Sequence, residues 1–82
     1  ENNEFVLLFP NPANSEVNIQ TSFGFSGIME LYDLLGKKIR VSVVNPGLNR
    51  LNTTSLNNGI YLAKVFNEKG ELVQLEKLVF NK

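Results

Sequence analysis

The sequence contains no cysteine, no histidine and no tryptophan. Without cysteine there is no disulfide framework, no thiolate nucleophile and no thiol ligand for zinc. The redox compartment leaves no mark. Without histidine the commonest general base and metal ligand are missing. An excess of one charge is also missing, because eight Lys and Arg balance eight Asp and Glu. A neutral chain suits neither nucleic acid nor an anionic membrane, since both demand a basic surface. No apolar run approaches the roughly 20 residues of a membrane-spanning helix, so no direct membrane insertion is expected. The opening residues do not read as a cleavable export signal, and any such signal is expected elsewhere.

What is present is the makings of one small β domain. The 82 residues are 43 % hydrophobic, near the globular norm. A domain of this size buries only about 60 % of its unfolded surface, so its stability is expected to be modest. Apolar residues alternate with period two, the strand signature. Strands are predicted near 4–9, 16–20, 27–33, 37–44, 59–67 and 71–80, with a short seventh at Leu48 and Leu51. The strand near 59–67 is apolar on both faces, as a central strand covered on both sides would be. Pro10-Asn11-Pro12 forms a stiff elbow. The six glycines fall between strands, where positive φ is tolerated. Asn45-Pro46-Gly47, Asn57-Asn58-Gly59 and Glu68-Lys69-Gly70 read as turns, the last closing a hairpin. Residues 54–58 offer one short helical turn with Leu56 inward. The spacing predicts an all-β, Ig-like antiparallel β-sandwich of about seven short strands. Its inner faces would hold Val17, Ile19, Met29, Leu31, Ile39, Val41, Val43, Leu51, Leu56, Tyr61, Val65 and part of the last strand. Lys38, Arg40 and Ser42 would face out.

Candidate chemistry is sparse. The acids are scattered over outward faces and turns, and a carboxylate pair needs two acids facing one cleft. Solvated surface charge is the better reading of them, so no enzyme is expected, and neither metal nor cofactor. Asp33-x-x-Gly36 lacks the further acids of a calcium loop and reads as a turn-capping Asp. Asn52-Thr53-Thr54 fits an N-glycosylation sequon, a pattern frequent by chance. Lys37, Lys38 and Arg40 form a small basic cluster that would discourage edge pairing. Tyr32 faces outward, but a carbohydrate platform usually presents more aromatic surface. Phe23 and Phe25 are expected to cap the core, with a contact patch as the alternative.

Four segments, in order, resemble a known family. LFPNPANSEVNI (Leu8–Ile19), MELYDLLGKKI (Met29–Ile39), LNTTSLNNGIYLAKV (Leu51–Val65) and EKLVFNK (Glu76–Lys82) are similar to the motifs of type A C-terminal sorting domains of the type IX, or Por, secretion system. The resemblance implies a bacterium of the Bacteroidetes group and a single sorting domain over 1–82, with 1–4 a linker remnant. It implies a cargo domain N-terminal to this one, carried through the periplasm and across the outer membrane by the type IX translocon. A surface sortase would then remove the domain, leaving cargo at the cell surface or in the medium. The recognition motif carried over is Pro10, Asn11, Pro12, Asp33, Gly36, Lys37, Gly59, Tyr61, Lys77, Leu78, Val79, Phe80 and Lys82. The terminal strand would be placed for β-augmentation by the machinery. Ala63 departs from the bulky apolar residue expected there, which leaves local packing open. The rival readings are a carbohydrate-binding or adhesive sandwich appended to a surface enzyme, and a passive spacer. Self-association through an edge strand is also open.

Overall fold

The structure, a computed structural model, describes residues 5–10 and 13–82. Seven strands form: β1 (Val6–Phe9), β2 (Glu16–Thr21), β3 (Gly27–Tyr32), β4 (Lys38–Val44), β5 (Leu48–Asn52), β6 (Gly59–Asn67) and β7 (Leu72–Phe80). They make two antiparallel sheets, β1-β2-β5 and β4-β3-β6-β7, as the periodicity predicts. Among the described residues no helix appears, and residues 54–58 make turns, with Leu56 partly buried against the core.

Alternation puts Val6, Leu8, Val17 and Ile19 of the first sheet against Met29, Leu31, Ala63, Val65, Leu78 and Phe80 of the second. Ala63 is fully buried in this layer. Gly27 does not serve a turn. A Cβ there would lie 1.8 Å from the Phe66 carbonyl oxygen, so the absence of a side chain lets β3 approach β6.

The register defines two ends. β1 starts opposite the last residue of β2, with Val6 facing Thr21. This proximal end also holds the loop 22–26, the turn 45–47 and the hairpin 67–71. The distal end holds the hairpin 33–37, the turns 53–58, Ala13 and the last residues of the chain.

The two hairpins are built alike. The Asp33 N–H donates to the Lys37 carbonyl (3.0 Å), and the Asn67 N–H to the Glu71 carbonyl (2.9 Å). Oδ1 of Asp33 accepts from the Leu35 and Lys37 amides, both at 2.9 Å. Oδ1 of Asn67 accepts from the Lys69 and Glu71 amides at 3.0 and 2.9 Å. Gly36 and Gly70 supply positive φ, 88° and 81°. In each, the ladder slips by one residue just before the turn, so Ile39 and Val73 have no opposite partner.

That slip corrects the sequence reading of β4. Beyond the bulge Arg40 lies opposite Leu31 and Ser42 opposite Met29, so both face inward with Val44. Val41 and Val43 turn outward, 52 % and 70 % exposed. Arg40 does not join a basic cluster. Its guanidinium donates to the Asn52 carbonyl (2.5 Å) and to Ser55 Oγ (3.1 Å), strapping one sheet to the other. The expectation that β6 is covered on both faces is also corrected, because among the described residues no other element covers its outer face, with Ile60, Leu62, Lys64 and Phe66. Phe25 caps the core as predicted, but Phe23 is fully exposed.

Candidate recognition surface

The motif residues are distant in sequence, and the fold gathers those it describes at the distal end. Pro10 follows β1 there, exposed, after a cis peptide bond; Asn11 and Pro12 lie outside the described residues. Asp33, Gly36 and Lys37 form the distal hairpin, the Asp capping amides as expected. Gly59 (φ 148°) and Tyr61 open β6 directly beside Phe80 and Leu78.

These residues divide into two kinds. Leu78, Phe80 and Tyr61 are buried. The rings of Tyr61 and Phe80 lie 4.9 Å apart, and the Tyr61 hydroxyl donates to the Asn57 carbonyl at 2.8 Å. Lys82 is a clamp: its N–H donates to Asn58 Oδ1 (3.0 Å), and its ammonium to the carbonyls of Thr54 (2.7 Å) and Leu56. The edge of β7 near its end is already taken, since the Ala13 N–H donates to the Val79 carbonyl (2.6 Å) and the Asn81 N–H to the Ala13 carbonyl (2.8 Å). Lys37 and Lys77 are exposed and Val79 is half-buried. Asp33, Gly36, Tyr61 and Lys77, together with Leu34 and Lys64, line one depression of about 270 Å³.

A profile described as the secretion system C-terminal sorting domain matches residues 7–81. The chain belongs to that family. No curated protein matches it. The sorting domain is thus a C-terminal signal of type IX secretion, implying export of an N-terminal cargo across the outer membrane to the cell surface or beyond. The family is one of signals, not of enzymes.

A surface that is read by proteins should present shape and charge, and the outer face of the four-stranded sheet of the sorting domain does so. Toward its distal end the Tyr32 hydroxyl donates to Glu30 Oε1 (2.5 Å) and Lys38 Nζ to Glu30 Oε2 (3.2 Å), while Lys64 Nζ sits 4.7 Å from the Tyr32 ring centroid. The Tyr32 hydrogen bond holds the Glu30 carboxyl below its ordinary value, helped by Lys38 and Lys64. The same bond pushes the Tyr32 phenol up. With Lys64 over the ring and the hydroxyl committed, Tyr32 is not a bare sugar-stacking platform. Around this polar island lie Val41, Val43, Leu72 and Leu75, all exposed. A groove of about 830 Å³ runs along its proximal part, between Val43, Ile28 and Phe66.

Leu34 and Leu35, outside the sequence-derived motif, stand 69 % and 95 % exposed at the distal hairpin tip. The signal for them was in the chain: Asp33-x-x-Gly36 and Asn67-x-x-Gly70 are the same turn written twice, and only one carries apolar residues at its tip. Among the described residues no cluster of metal-binding side chains occurs.

Proposed function

We propose that this sorting domain acts without catalysis, as a folded grip for the type IX translocon of a Bacteroidetes cell. On this reading the cargo crosses the periplasm attached to its N-terminus, and a surface sortase then removes the domain. The observation that carries the reading is the convergence of Asp33, Gly36, Tyr61 and Lys77, from three separate sequence blocks, around one distal depression. The carboxylates nearby are engaged, Asp33 by backbone amides and Glu30 by Tyr32 and Lys38.

The test fuses these residues to the C-terminus of a periplasmic reporter in a type IX-competent host. The reporter is expected at the surface or in the medium, with the domain cleaved from it. Deleting residues 77–82 is a poor control, because it strips Leu78 and Phe80 from the core. A better control is an unrelated sandwich of equal size in place of the domain, which should leave the reporter inside. Equal export by that substitute would reduce the domain to a spacer and sink the proposal.

A further inference from the structure

The two matched hairpins act as an internal control. Both close with the same backbone bonds, an Oδ1 acceptor at the same position (Asp33 or Asn67) and a positive-φ glycine, the proximal turn adding a bond from Asn67 Nδ2 to Glu71 Oε1 at 2.8 Å. The proximal turn does this with Glu68 and Lys69 at its tip, residues at home in water. The distal turn places Leu34 and Leu35 at the equivalent positions. Folding therefore does not require leucine there. Leu35 in particular is almost entirely exposed, so it adds nothing to the core.

The surroundings say what would receive these leucines. Leu34 lines the depression that also carries Lys64 and Lys77, and Lys37 and Lys38 follow the tip in sequence. The two acids of this region, Asp33 and Glu30, are turned toward backbone amides and toward Tyr32 and Lys38. Four lysines, Lys37, Lys38, Lys64 and Lys77, stand against these two carboxylates, so the surroundings of the leucines carry net positive charge although the chain as a whole is neutral. Protruding apolar anchors within a charged rim fit a concave apolar site bordered by opposite charge. A lipid surface is the weaker fit, since even a myristoyl chain is a marginal anchor and two leucine side chains bury fewer carbons.

We propose that the Leu34-Leu35 tip is an anchor that seats in an apolar, carboxylate-rimmed pocket on a protein of the secretion machinery. The proposal rests on the sorting function and names the element of the signal that is gripped.

The test exchanges the tips in the cargo-bearing protein. L34E/L35K gives the distal turn the residues that the proximal turn already carries, and E68L/K69L makes the reverse change. The expected result is a drop in export of at least ~10-fold for L34E/L35K, the loss typical of an interface anchor. Its urea midpoint should stay unchanged, and E68L/K69L should export normally. Export of L34E/L35K at the parent's yield would overturn the anchor and leave the sorting function standing. If L34E/L35K lowers the urea midpoint, L35K alone decides in the same way, because Leu35 is 95 % exposed. Flotation of the parent protein with phosphatidylglycerol vesicles, lost in L34E/L35K, would overturn the protein pocket in favour of lipid. A parent that is itself retained would overturn the sorting function and this anchor with it.

Discussion

Two threonines are buried at opposite ends of the sandwich, and their circumstances differ. Thr21, at the proximal end, has a fully employed hydroxyl: it accepts from the Gly47 N–H at 2.9 Å and lies 3.3 Å from the carbonyls of Asn45 and Gly47. Thr53, at the distal end, is completely buried, and among the described residues its hydroxyl has no hydrogen-bond partner. Both backbone amides are satisfied, Thr21 by the Gly47 carbonyl and Thr53 by that of Ser15, each at 2.8 Å. The contrast shows that a buried polar side chain is not in itself a stabilising one; its partner decides the sign. The proximal end is tied to its own turn through Thr21, whereas at the distal end, which carries the motif residues and the apolar tip, the Thr53 hydroxyl makes no bond to the described residues.

The largest test of this comparison asks whether the two ends share one core. Phe25 fills the proximal end and Phe80 the distal end, both about fully buried. F25A and F80A should each cost about 3–5 kcal/mol. The whole stability of a domain this size is roughly 4–12 kcal/mol, so either variant should lower the urea midpoint steeply. A variant that melted only one end in an amide-exchange map would break the single-core picture.

The threonines themselves come next. T21V should cost about 1–3 kcal/mol, because it strands the Gly47 amide. T53V should be neutral or gain up to about 1 kcal/mol, because it removes a buried hydroxyl that has no partner among the described residues. Equal losses in a urea titration would erase the distinction between the ends.

Smaller still is the effect at the twin turns. G36A and G70A each force a side chain into positive φ and should cost about 1–2 kcal/mol. Because the turns match, the two losses should agree within about 0.5 kcal/mol; a larger gap would mean that the hairpins differ in the solvated protein.

The smallest effect is in acid. The folded-state pKa of Glu30 is lowered, so its contribution is present above the ordinary Glu value, about 4.3, and fades as pH falls through the folded value. A melting series from pH 6 to about pH 2.5 should show E30Q less acid-sensitive than the parent. Parallel curves would show that the Tyr32–Glu30 bond does not persist in solution.

The fold was largely legible because period-two alternation survives wherever a strand runs unbroken. Val17, Ile19, Met29, Leu31, Tyr61 and Val65 are core residues by that rule alone. It failed in β4, where one bulged residue, Ile39, reverses the face of everything after it. Alternation has no way to register a slip whose cause is the hydrogen bonding of the next turn. β7 carries the same slip at Val73, which leaves Gln74 and Glu76 facing in and Leu75 facing out. Inward-pointing polar residues on the two edge strands of this sheet discourage edge-to-edge pairing.

The distal site was legible as motif membership and not as roles. Sequence similarity grouped Tyr61, Leu78, Phe80 and Lys82 with Lys37 and Lys77. Geometry separates the first four, which hold the fold together, from two that a partner can reach. Leu34 and Leu35 do not stand out in the sequence because the Asp33-x-x-Gly36 turn is recognised by its capping Asp and its Gly, which leave the exposure of the two residues between them unspecified.

The opposed placement of the two ends has a mechanical consequence. β1 departs from the proximal end toward whatever precedes it, while the motif residues lie at the other end of a body 39 Å long. Tension between a held distal end and a trailing load would run along the strands. The β1–β2 ladder is antiparallel, its hydrogen bonds perpendicular to that pull. Its bonds would be sheared together instead of unzipped singly, so even a strand of four residues, Val6–Phe9, becomes a strong hitch for towing.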